Sequence, residues 1–300
     1  MKSVNDRIIE FCAYHRDGDG ECNSVVLRDW ADSHGLSLEQ RWKLAYTFAI
    51  TYNVVSAIVL YEHPEKWSDA ESLKRKIVFQ SDRKYVRIGD RFKNCLEFYT
   101  SNLSNPKPIL SKWIKGGKFY LDDAIRDVER WYYFGRFSAF LFLEMFIWLT
   151  DIPVVNAQTI DWPNGNTATS GLLNLFGYDE LANAFDKTGK LGLPREKMDE
   201  MLSKVLQAVR SSGGNANVTV VETSLCAYRK FYKGSRYNGY YLDRMLEELN
   251  QLRSEYPEIV ESIIRIRKQH YDAKYLGEIG GWKGIRKEAK KLYRDKGIML

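Results

Sequence analysis

Apolar residues recur along most of the chain at intervals of three and four positions, the spacing of one face of an α-helix. One such series begins at Leu38, with Ser37 before it and Gln40 two positions after Leu38, as in a capping box. Alternating apolar and polar residues, which indicate strands, are confined to residues 84–88 and 152–155. The pattern therefore predicts a mainly α protein with at most a small β element. Further helices are predicted over residues 4–14, 69–79, 91–102, 121–132, 136–150, 195–209, 219–231, 240–255, 259–271 and 285–294.

Two of these helices, residues 136–150 and 219–231, are so apolar that each needs cover from several neighbouring helices. None of the irregular segments has the composition of a flexible interdomain linker. We therefore predict a single helical domain over residues 1–258. Residues 259–300 are predicted to form a basic helical C-terminal appendage that packs on the same domain.

The composition supports a folded chain with an unusual content of aromatic rings. Hydrophobic residues make up 44% of the 300 positions, which excludes the disordered class. Lys and Arg outnumber Asp and Glu by 45 to 39, a net charge of +6. Aromatic residues reach 14%, and such rings either fill a core or form stacking surfaces for planar ligands such as bases.

The sequence pattern predicts neither a membrane span nor a signal peptide. Its most apolar stretch, residues 137–149, is shorter than a membrane span and contains Glu144. Residues 1–10 lack the apolar core of a signal peptide, and the four cysteines form no dense framework. These features predict a cytoplasmic protein that has no membrane partner.

Two stretches were tested as metal sites. The acidic residues between 17 and 21 resemble the start of a calcium loop, but Arg28 stands where the bidentate Glu is required. Cys12, His15 and Cys22 fit no standard zinc spacing and have no fourth ligand nearby. The sequence therefore predicts no protein-bound metal.

Two helical stretches carry candidate chemistry. Glu144 lies where nearly every side of its helix is apolar, so its carboxylate requires a partner. That carboxylate either fixes the core through an ion pair or hydrogen bond, or acts as a general base. Glu222 and Cys226 begin a stripe that continues to Arg229 and Lys233 at helical spacing. The stripe is either a reaction surface, or a small buried thiol beside a solvated basic edge.

Basic and aromatic residues interleave in residues 82–87, 229–237 and 265–274. Cations bind phosphates and rings stack on bases, so this interleaving favours a nucleic-acid partner. The alternative is a basic surface that needs no partner, since a net charge of +6 over 300 residues is modest.

Four motifs, in this order and spacing, resemble the bacteriophage amino acid:DNA transferases, also called α-glutamyl/putrescinyl thymine pyrophosphorylases. The resemblance covers about residues 30–246. The motifs are Gln80-Ser-Asp-Arg-Lys, Gly135-Arg-Phe-Ser-Ala-Phe-Leu-Phe-Leu-Glu-Met, Glu222-Thr-Ser-Leu-Cys-Ala-Tyr and Arg236-Tyr-Asn-Gly-Tyr-Tyr.

The resemblance implies an enzyme of DNA hypermodification. Such an enzyme replaces the pyrophosphate of 5-(pyrophosphoryloxymethyl)uracil in double-stranded phage DNA with the nitrogen of an amino acid or polyamine. It also implies a helical, DNA-glycosylase-like fold, in which base flipping would expose the reacting methylene. The alternative is a DNA-binding or glycosylase-like helical module without transferase activity, and a third reading is a helical scaffold protein with a basic face.

Residue types can be matched to that chemistry. Departing pyrophosphate needs cations, and an incoming amine needs a carboxylate base. A further hypothesis has a thiol add to C6 of the uracil ring. No compact carboxylate cluster marks a Mg²⁺ site, which leaves open whether Mg²⁺ assists. The candidate catalytic residues are Glu144, Glu222 and Cys226; the candidate substrate-binding residues are Arg83, Lys84, Arg136, Asp161, Arg236 and Tyr237.

Overall fold

A computed structural model describes residues 3–17, 20–155, 162, 166–233, 236 and 239–270. Fifteen α-helices and three short strands make up most of this described part, so the predicted mainly α class is confirmed. The helices are α1 (Val4–Asp17), α2 (Cys22–Ser33), α3 (Leu38–Thr51), α4 (Val54–Glu62), α5 (Ala70–Arg75), α6 (Arg91–Phe98), α7 (Lys107–Trp113), α8 (Leu121–Val128), α9 (Arg136–Thr150), α10 (Asn166–Leu175), α11 (Asp179–Thr188), α12 (Arg195–Ser211), α13 (Val218–Tyr232), α14 (Tyr240–Leu252) and α15 (Pro257–His270).

The chain folds into two compact units. Unit 1 contains the described residues of 1–21 and 157–244, and therefore α1, α10–α13 and the start of α14. Unit 2 contains those of 22–156 and 245–270, and therefore α2–α9, the end of α14 and α15. Each unit is built from segments distant in sequence.

The core of unit 2 is the packing of α3 against α9. Ser37 and Gln40 form the predicted capping box, in which each side chain bonds the other's backbone, so α3 begins where the sequence predicts. The Trp42 ring is fully buried and lies 4.9–5.6 Å from four other ring centroids. These rings belong to Trp113, Trp131, Phe142 and Phe146, so part of the high aromatic content fills this core.

The small sheet of unit 2 contains β1 (Ile114–Lys115), β2 (Lys118–Tyr120) and β3 (Val154–Val155). Strand β1 pairs antiparallel with β2 through Gly116 and Gly117, whose positive φ angles of 57° and 72° suit a two-residue hairpin turn. Strand β3 pairs parallel with β2, which confirms the strand predicted near residues 152–155.

The strand predicted over residues 84–88 is wrong, because this segment belongs to a 3₁₀-helix, Ser81–Arg87. The Arg83 backbone N–H donates to the Gln80 carbonyl oxygen at 2.7 Å, which closes a tight turn instead of extending the chain. The buried Arg83 side chain holds that turn against the unit.

Unit 1 is organised by the packing of α10 against α13. Gly171 lies at their crossing, where a Cβ atom would overlap the Leu225 carbonyl oxygen. Only glycine permits this approach of the two backbones.

The described part of the C-terminal segment, helix α15, packs against α2 and α4 within unit 2. The boundary proposed at residue 258 stays a prediction, and the helix predicted over residues 285–294 lies outside the described residues. Within the described chain, no helix has both the length and the apolar character required to cross a bilayer.

Candidate functional site

The nine residues that the sequence predicts for the site are distributed over both units. Unit 2 contains the largest group. Unit 2 holds Arg83, Lys84, Arg136 and Glu144, unit 1 holds Glu222, Cys226 and Arg236, and Asp161 and Tyr237 lie outside the described residues.

Arg83 is fixed between the two central helices of unit 2, and its residue is only 1% exposed. Its Nε donates to the Ala49 carbonyl oxygen near the end of α3, at 2.6 Å. Its Nη1 donates to the Ser138 hydroxyl in the first turn of α9, at 2.5 Å, and to the Tyr85 hydroxyl. The guanidinium therefore holds one position relative to both helices.

All of these Arg83 partners are neutral, and no described carboxylate pairs with the guanidinium. Its Nη2 donates no hydrogen bond to any residue in the described part of the chain. Burial lowers the pKa of Arg83, because the charged form loses contact with water. A bound anion would compensate this charge, so the arrangement suits an anion site.

Aromatic rings surround the same guanidinium. Its central carbon lies 5.6 Å from the ring centroids of both Tyr85 and Phe137. Tyr85 in turn stacks on Tyr133, with centroids 6.4 Å apart and planes inclined by 28°. Phe137 is 47% exposed and Tyr133 is 36% exposed, so rings are presented beside the cation. We call Arg83, Tyr85, Tyr133, Phe137 and Ser138 the Arg83 site.

Two tyrosines at this site have an unusual backbone conformation. Tyr52 and Tyr133 have φ angles of 54° and 59°, in the left-handed region that bulky residues rarely adopt. Each such conformation costs about 1–3 kcal/mol. The Tyr52 ring meets Phe137 edge-on at 6.3 Å, so Tyr52 borders the Arg83 site. Tyr52 is the left-handed C-cap of α3, so its conformation serves to end that helix. Tyr133 is not a helix cap, and strain of this kind clusters at functional sites.

Further cations lie around the Arg83 site. Lys84 and Arg87 are exposed in the 3₁₀-helix. The Arg91 guanidinium lies 5.2 Å from the Tyr133 ring centroid, and Arg91 also donates to the Tyr85 carbonyl oxygen at 3.3 Å. Arg136 pairs with Glu129 at 3.4 Å, which partly neutralises it. Lys84 is therefore better suited than Arg136 to contact an anion.

Glu144 lies on α9 and is 7% exposed. It is seven positions after Phe137, so the two side chains share one face of the helix, about 10 Å apart along its axis. The carboxylate has a polar or electrostatic partner, as its burial requires. Glu144 therefore lies on the same helix face as one ring of the Arg83 site.

The predicted stripe on α13 has a different character. Glu222 and Cys226 are half-buried, and Cys226 is a free thiol. Arg229 is 2% exposed and donates to Asp186 at 2.6 Å, and Lys233 also bonds Asp186. Arg229 is thus buried and paired with a carboxylate, whereas Lys233 pairs with the same carboxylate and stays exposed, so the solvated basic edge describes Lys233 but not Arg229.

Asp186 is the centre of that pairing. Its burial would raise its pKa, but hydrogen bonds from Lys233, Ser170 and Arg229 outweigh burial and lower the pKa to about 2. Arg229 also donates to the side chain of Asn174. We call these five residues the Asp186 network. Both of its cations pair with the Asp186 carboxylate, so we interpret the network as a structural feature of unit 1.

Arg236 lies between two rings of the same unit. Its guanidinium carbon is 4.7 Å from the Tyr240 centroid and 4.8 Å from the Tyr241 centroid, and it bonds the Tyr241 hydroxyl. Arg236 is half-buried and, among the described residues, has no carboxylate partner. This predicted substrate-binding residue therefore repeats the combination of cation and ring found at the Arg83 site.

Sequence reasoning did not identify Ser138, Tyr133 or Phe137 as site residues. Phe137 and Ser138 stand inside a quoted motif, which was the signal available for them. Tyr133 gave no signal, because its backbone strain is a property of the fold. No group of three or more His, Cys, Asp or Glu side chains among the described residues is arranged to hold a metal ion.

Two comparisons with known proteins bear on this geometry. A family model described as amino acid:DNA transferase matches residues 33–237, more than half of the chain. This match confirms the resemblance drawn from the four motifs and includes every residue of the Arg83 site. A comparison with curated proteins finds no match.

Proposed function

Since this chain belongs to the amino acid:DNA transferase family, it is a transferase with DNA and an amino acid as substrates, and we propose a specific reaction for it. In this proposal, the enzyme replaces the pyrophosphate of 5-(pyrophosphoryloxymethyl)uracil in phage DNA with the nitrogen of an amino acid or polyamine. The bond between the methylene carbon and the pyrophosphate oxygen breaks, and a carbon–nitrogen bond forms.

The observation that carries this proposal is that no described carboxylate pairs with the buried Arg83 guanidinium. The guanidinium is buried among neutral partners and keeps Nη2 without a hydrogen bond to any described residue. Arginine binds phosphate oxygens through such N–H groups. A fixed cation stabilises charge that develops on a leaving group without having to reorganise. We assign pyrophosphate to Arg83, with Lys84 as an exposed second cation.

The exposed rings support the part of the proposal that concerns the base. Phe137 lies next to Arg83 and Tyr133 stacks on Tyr85, both rings are partly exposed, and stacking on aromatic rings tolerates any base. An enzyme that reacts at a base removes it from the helical stack. We therefore propose that a flipped-out base stacks at the Arg83 site while its pyrophosphate meets the guanidinium.

The amine must lose a proton to attack, and we propose Glu144 as the base. Its buried carboxylate lies on the α9 face that also carries Phe137. The proton passes from the nitrogen to the Glu144 carboxylate as the carbon–nitrogen bond forms. Glu222 on α13 is the second candidate for this role.

A covalent route uses Cys226. Its thiolate adds to C6 of the uracil, pyrophosphate leaves, and an exocyclic methylene forms at C5. The amine then adds to that methylene, the thiolate is expelled, and the C5–C6 double bond is restored. This route needs an accessible thiol, and Cys226 is the half-buried one of the described free cysteines.

The first experiment is a mass analysis of nucleosides. The protein is incubated with DNA that contains 5-(pyrophosphoryloxymethyl)uracil and a mixture of amino acids and polyamines, with and without Mg²⁺. A nucleoside in which an amine has replaced pyrophosphate is the expected product, and its mass identifies the donor. Unchanged nucleosides would refute the proposed reaction, and free base with abasic sites would identify a glycosylase-like reaction instead.

Three isosteric variants then assign the roles. Glu144→Gln is expected to lower kcat by about 100-fold or more, because general-base catalysis typically contributes 10²–10⁴-fold. Glu222→Gln tests the second candidate, and Cys226→Ser tests the covalent route. Glu97→Gln changes an exposed carboxylate of unit 2 and serves as the control. Full activity of Cys226→Ser would exclude the covalent route and leave direct displacement.

A further inference from the structure

A buried carboxylate outside the family match lies next to the segment that carries Arg83. Glu248 is on α14 and is 9% exposed. Its Oε2 accepts a hydrogen bond from Gln80 Nε2 at 2.8 Å and a second one from Asn53 Nδ2 at 3.3 Å. All three residues belong to unit 2. The carboxylate therefore connects α14 to the residues that precede the Arg83 turn.

Gln80 transmits this contact to Arg83. The Gln80 carbonyl oxygen accepts from the Arg83 backbone N–H at 2.7 Å, and the Gln80 N–H donates to the Thr51 carbonyl oxygen at 3.0 Å. Thr51 ends α3, the helix whose Ala49 carbonyl accepts from Arg83 Nε. Gln80 is thus held by its backbone at α3 and by its side chain at Glu248.

We propose that Glu248 is a positioning residue of the transfer reaction, which fixes Gln80 so that Arg83 stays at the place where pyrophosphate binds. This inference rests on the function proposed above. Asn53 contributes to the same arrangement, because it donates to Glu248 and its Oδ1 caps α4 by accepting from the Ser56 N–H. Glu248 does not touch the substrate in this proposal.

The charge of Glu248 has a specific use here. An ionised carboxylate has only acceptors, so it forces the amides of Gln80 and Asn53 to present their NH₂ groups. Hydrogen bonds to a charged acceptor are about twice as strong as neutral ones. Both amides donate to one oxygen, Oε2, so the single carbonyl oxygen of Glu248→Gln can still accept them, but as a neutral and therefore weaker acceptor. The side chain keeps its size, and Gln80 is held less tightly.

The test is a double-mutant cycle read by steady-state kinetics. Glu248→Gln is expected to raise KM for the pyrophosphorylated DNA by about tenfold and to leave KM for the amine donor unchanged, since only the Arg83 contact weakens. In an Arg83→Lys background, Glu248→Gln should raise KM for the DNA by less than about twofold. The effects of two residues that act through one another are not additive. Glu258→Gln, at an exposed position in α15, is the control.

An exchange variant separates positioning from general stability. In Gln80→Glu combined with Glu248→Gln, the amide donates from α14 to a carboxylate at position 80, so the hydrogen bond is restored with reversed direction. Recovery of KM for DNA within about threefold supports the proposal. Two results would overturn the proposal. One is that the effects of Glu248→Gln and Arg83→Lys on KM for DNA are additive, and the other is that Glu248→Gln changes KM for DNA and KM for the amine donor equally.

A second measurement distinguishes failure of this inference from failure of the proposed reaction. Inorganic pyrophosphate should raise the melting temperature of the wild-type protein through Arg83, and the increase should be smaller in Glu248→Gln. If the wild-type protein transfers no amine, but pyrophosphate still raises its melting temperature more than that of Glu248→Gln, the proposed reaction is wrong and the positioning role stands. If Glu248→Gln keeps the full increase, the positioning role is wrong.

Discussion

The two units each bury an arginine, and the comparison between these arginines separates a structural charge from a functional one. Arg83 in unit 2 is 1% exposed and Arg229 in unit 1 is 2% exposed. Arg229 pairs with the Asp186 carboxylate, whereas Arg83 bonds a carbonyl oxygen and two hydroxyls. Burial alone therefore does not reveal the role of an arginine. The charge of its partners reveals that role, because an arginine that is already paired with a carboxylate needs no anionic ligand.

The pKa directions of buried arginines express the same contrast. A hydrogen bond from Arg7 to Asp179 raises the pKa of Arg7 in unit 1, although burial alone would lower it. Burial lowers the pKa of Arg83 in unit 2, where no described carboxylate opposes it. The fold therefore stabilises the charged form of Arg7 and destabilises the charged form of Arg83. A pyrophosphate would supply at Arg83 the compensation that Asp179 supplies at Arg7.

The largest expected effect comes from Arg83→Met. This change should lower kcat/KM for transfer by about 100- to 1000-fold, or about 2.7–4 kcal/mol, because a preorganised donor to the leaving group is lost. The free energy of unfolding should stay within about 1 kcal/mol of wild type, since the lost hydrogen bonds are offset by removal of a buried charge that no described carboxylate pairs with. Both quantities are measured on the same preparation, by single-turnover kinetics and urea unfolding.

Arg83→Lys serves as the matched control for charge. Lysine keeps the cation but lacks the planar fork, so its activity should lie between those of wild type and Arg83→Met. An Arg83→Met protein that unfolds easily, with activity reduced only in proportion, would show that Arg83 is structural like Arg229.

Arg229→Met should have the opposite result. Removing one partner of a buried ion pair leaves Asp186 with fewer hydrogen bonds, so the free energy of unfolding should fall by about 3 kcal/mol. DNA affinity of the folded protein, measured by fluorescence anisotropy below the unfolding temperature, should stay within about twofold of wild type. A large loss of DNA affinity with unchanged stability would place Arg229 at a DNA-binding surface and end the contrast with Arg83.

Much of the fold could be predicted from the sequence, and the parts that could not have physical reasons. Helix α9 is observed over Arg136–Thr150, as predicted, because its apolar residues and flanking breaks are local signals. Helix α4 was missed, since Val54–Glu62 is apolar on every side and shows no helical period. The strand predicted over residues 84–88 failed because the tertiary contacts of Arg83 determine that turn.

The site was predicted less completely than the fold. Arg83 was identified because it stands in a motif, but its neutral partners Ala49 and Ser138 are far from it in sequence. Conversely, helical spacing places Arg229 and Lys233 in a candidate reactive stripe, but in the fold both pair with Asp186. A sequence shows which charges a helix carries. Which of them remain unpaired is decided by the packing of other helices.

The rings of the Arg83 site provide a smaller and sharper test. Tyr133→Ala should weaken binding of DNA with a displaced base by about tenfold, because stacking of one base on an aromatic ring contributes about 1–3 kcal/mol. The matched control is Tyr120→Ala, which also removes a ring next to a cation in unit 2, Lys115. Equal losses in both variants would assign the effect of Tyr133 to general loss of aromatic surface.

The smallest expected effect is a loss of stability in acid that arises from Asp186 in unit 1. The pKa of Asp186 is about 2 in the folded protein and near its ordinary 3.8 in the unfolded chain. Above pH 3.8 the carboxylate is ionised in both states, and its full contribution to stability is present. As the pH falls from 3.8 towards 2, only the unfolded chain binds a proton, so this contribution is lost. The expected loss is about 1 kcal/mol, because the partly exposed carboxylate is screened by solvent.

The loss is measured as the difference in unfolding free energy between wild type and Asp186→Asn. This difference should shrink between about pH 5 and about pH 2.5, because the variant lacks the titrating group. Glu196→Gln, at an exposed position in α12, should show a constant difference from wild type. Transfer by Asp186→Asn at neutral pH should match wild type, since no role in the proposed reaction is assigned to the Asp186 network. If the difference in unfolding free energy between wild type and Asp186→Asn stays constant with pH, the ionic pairing of Arg229 contributes nothing to stability. The contrast with Arg83 then loses its physical basis.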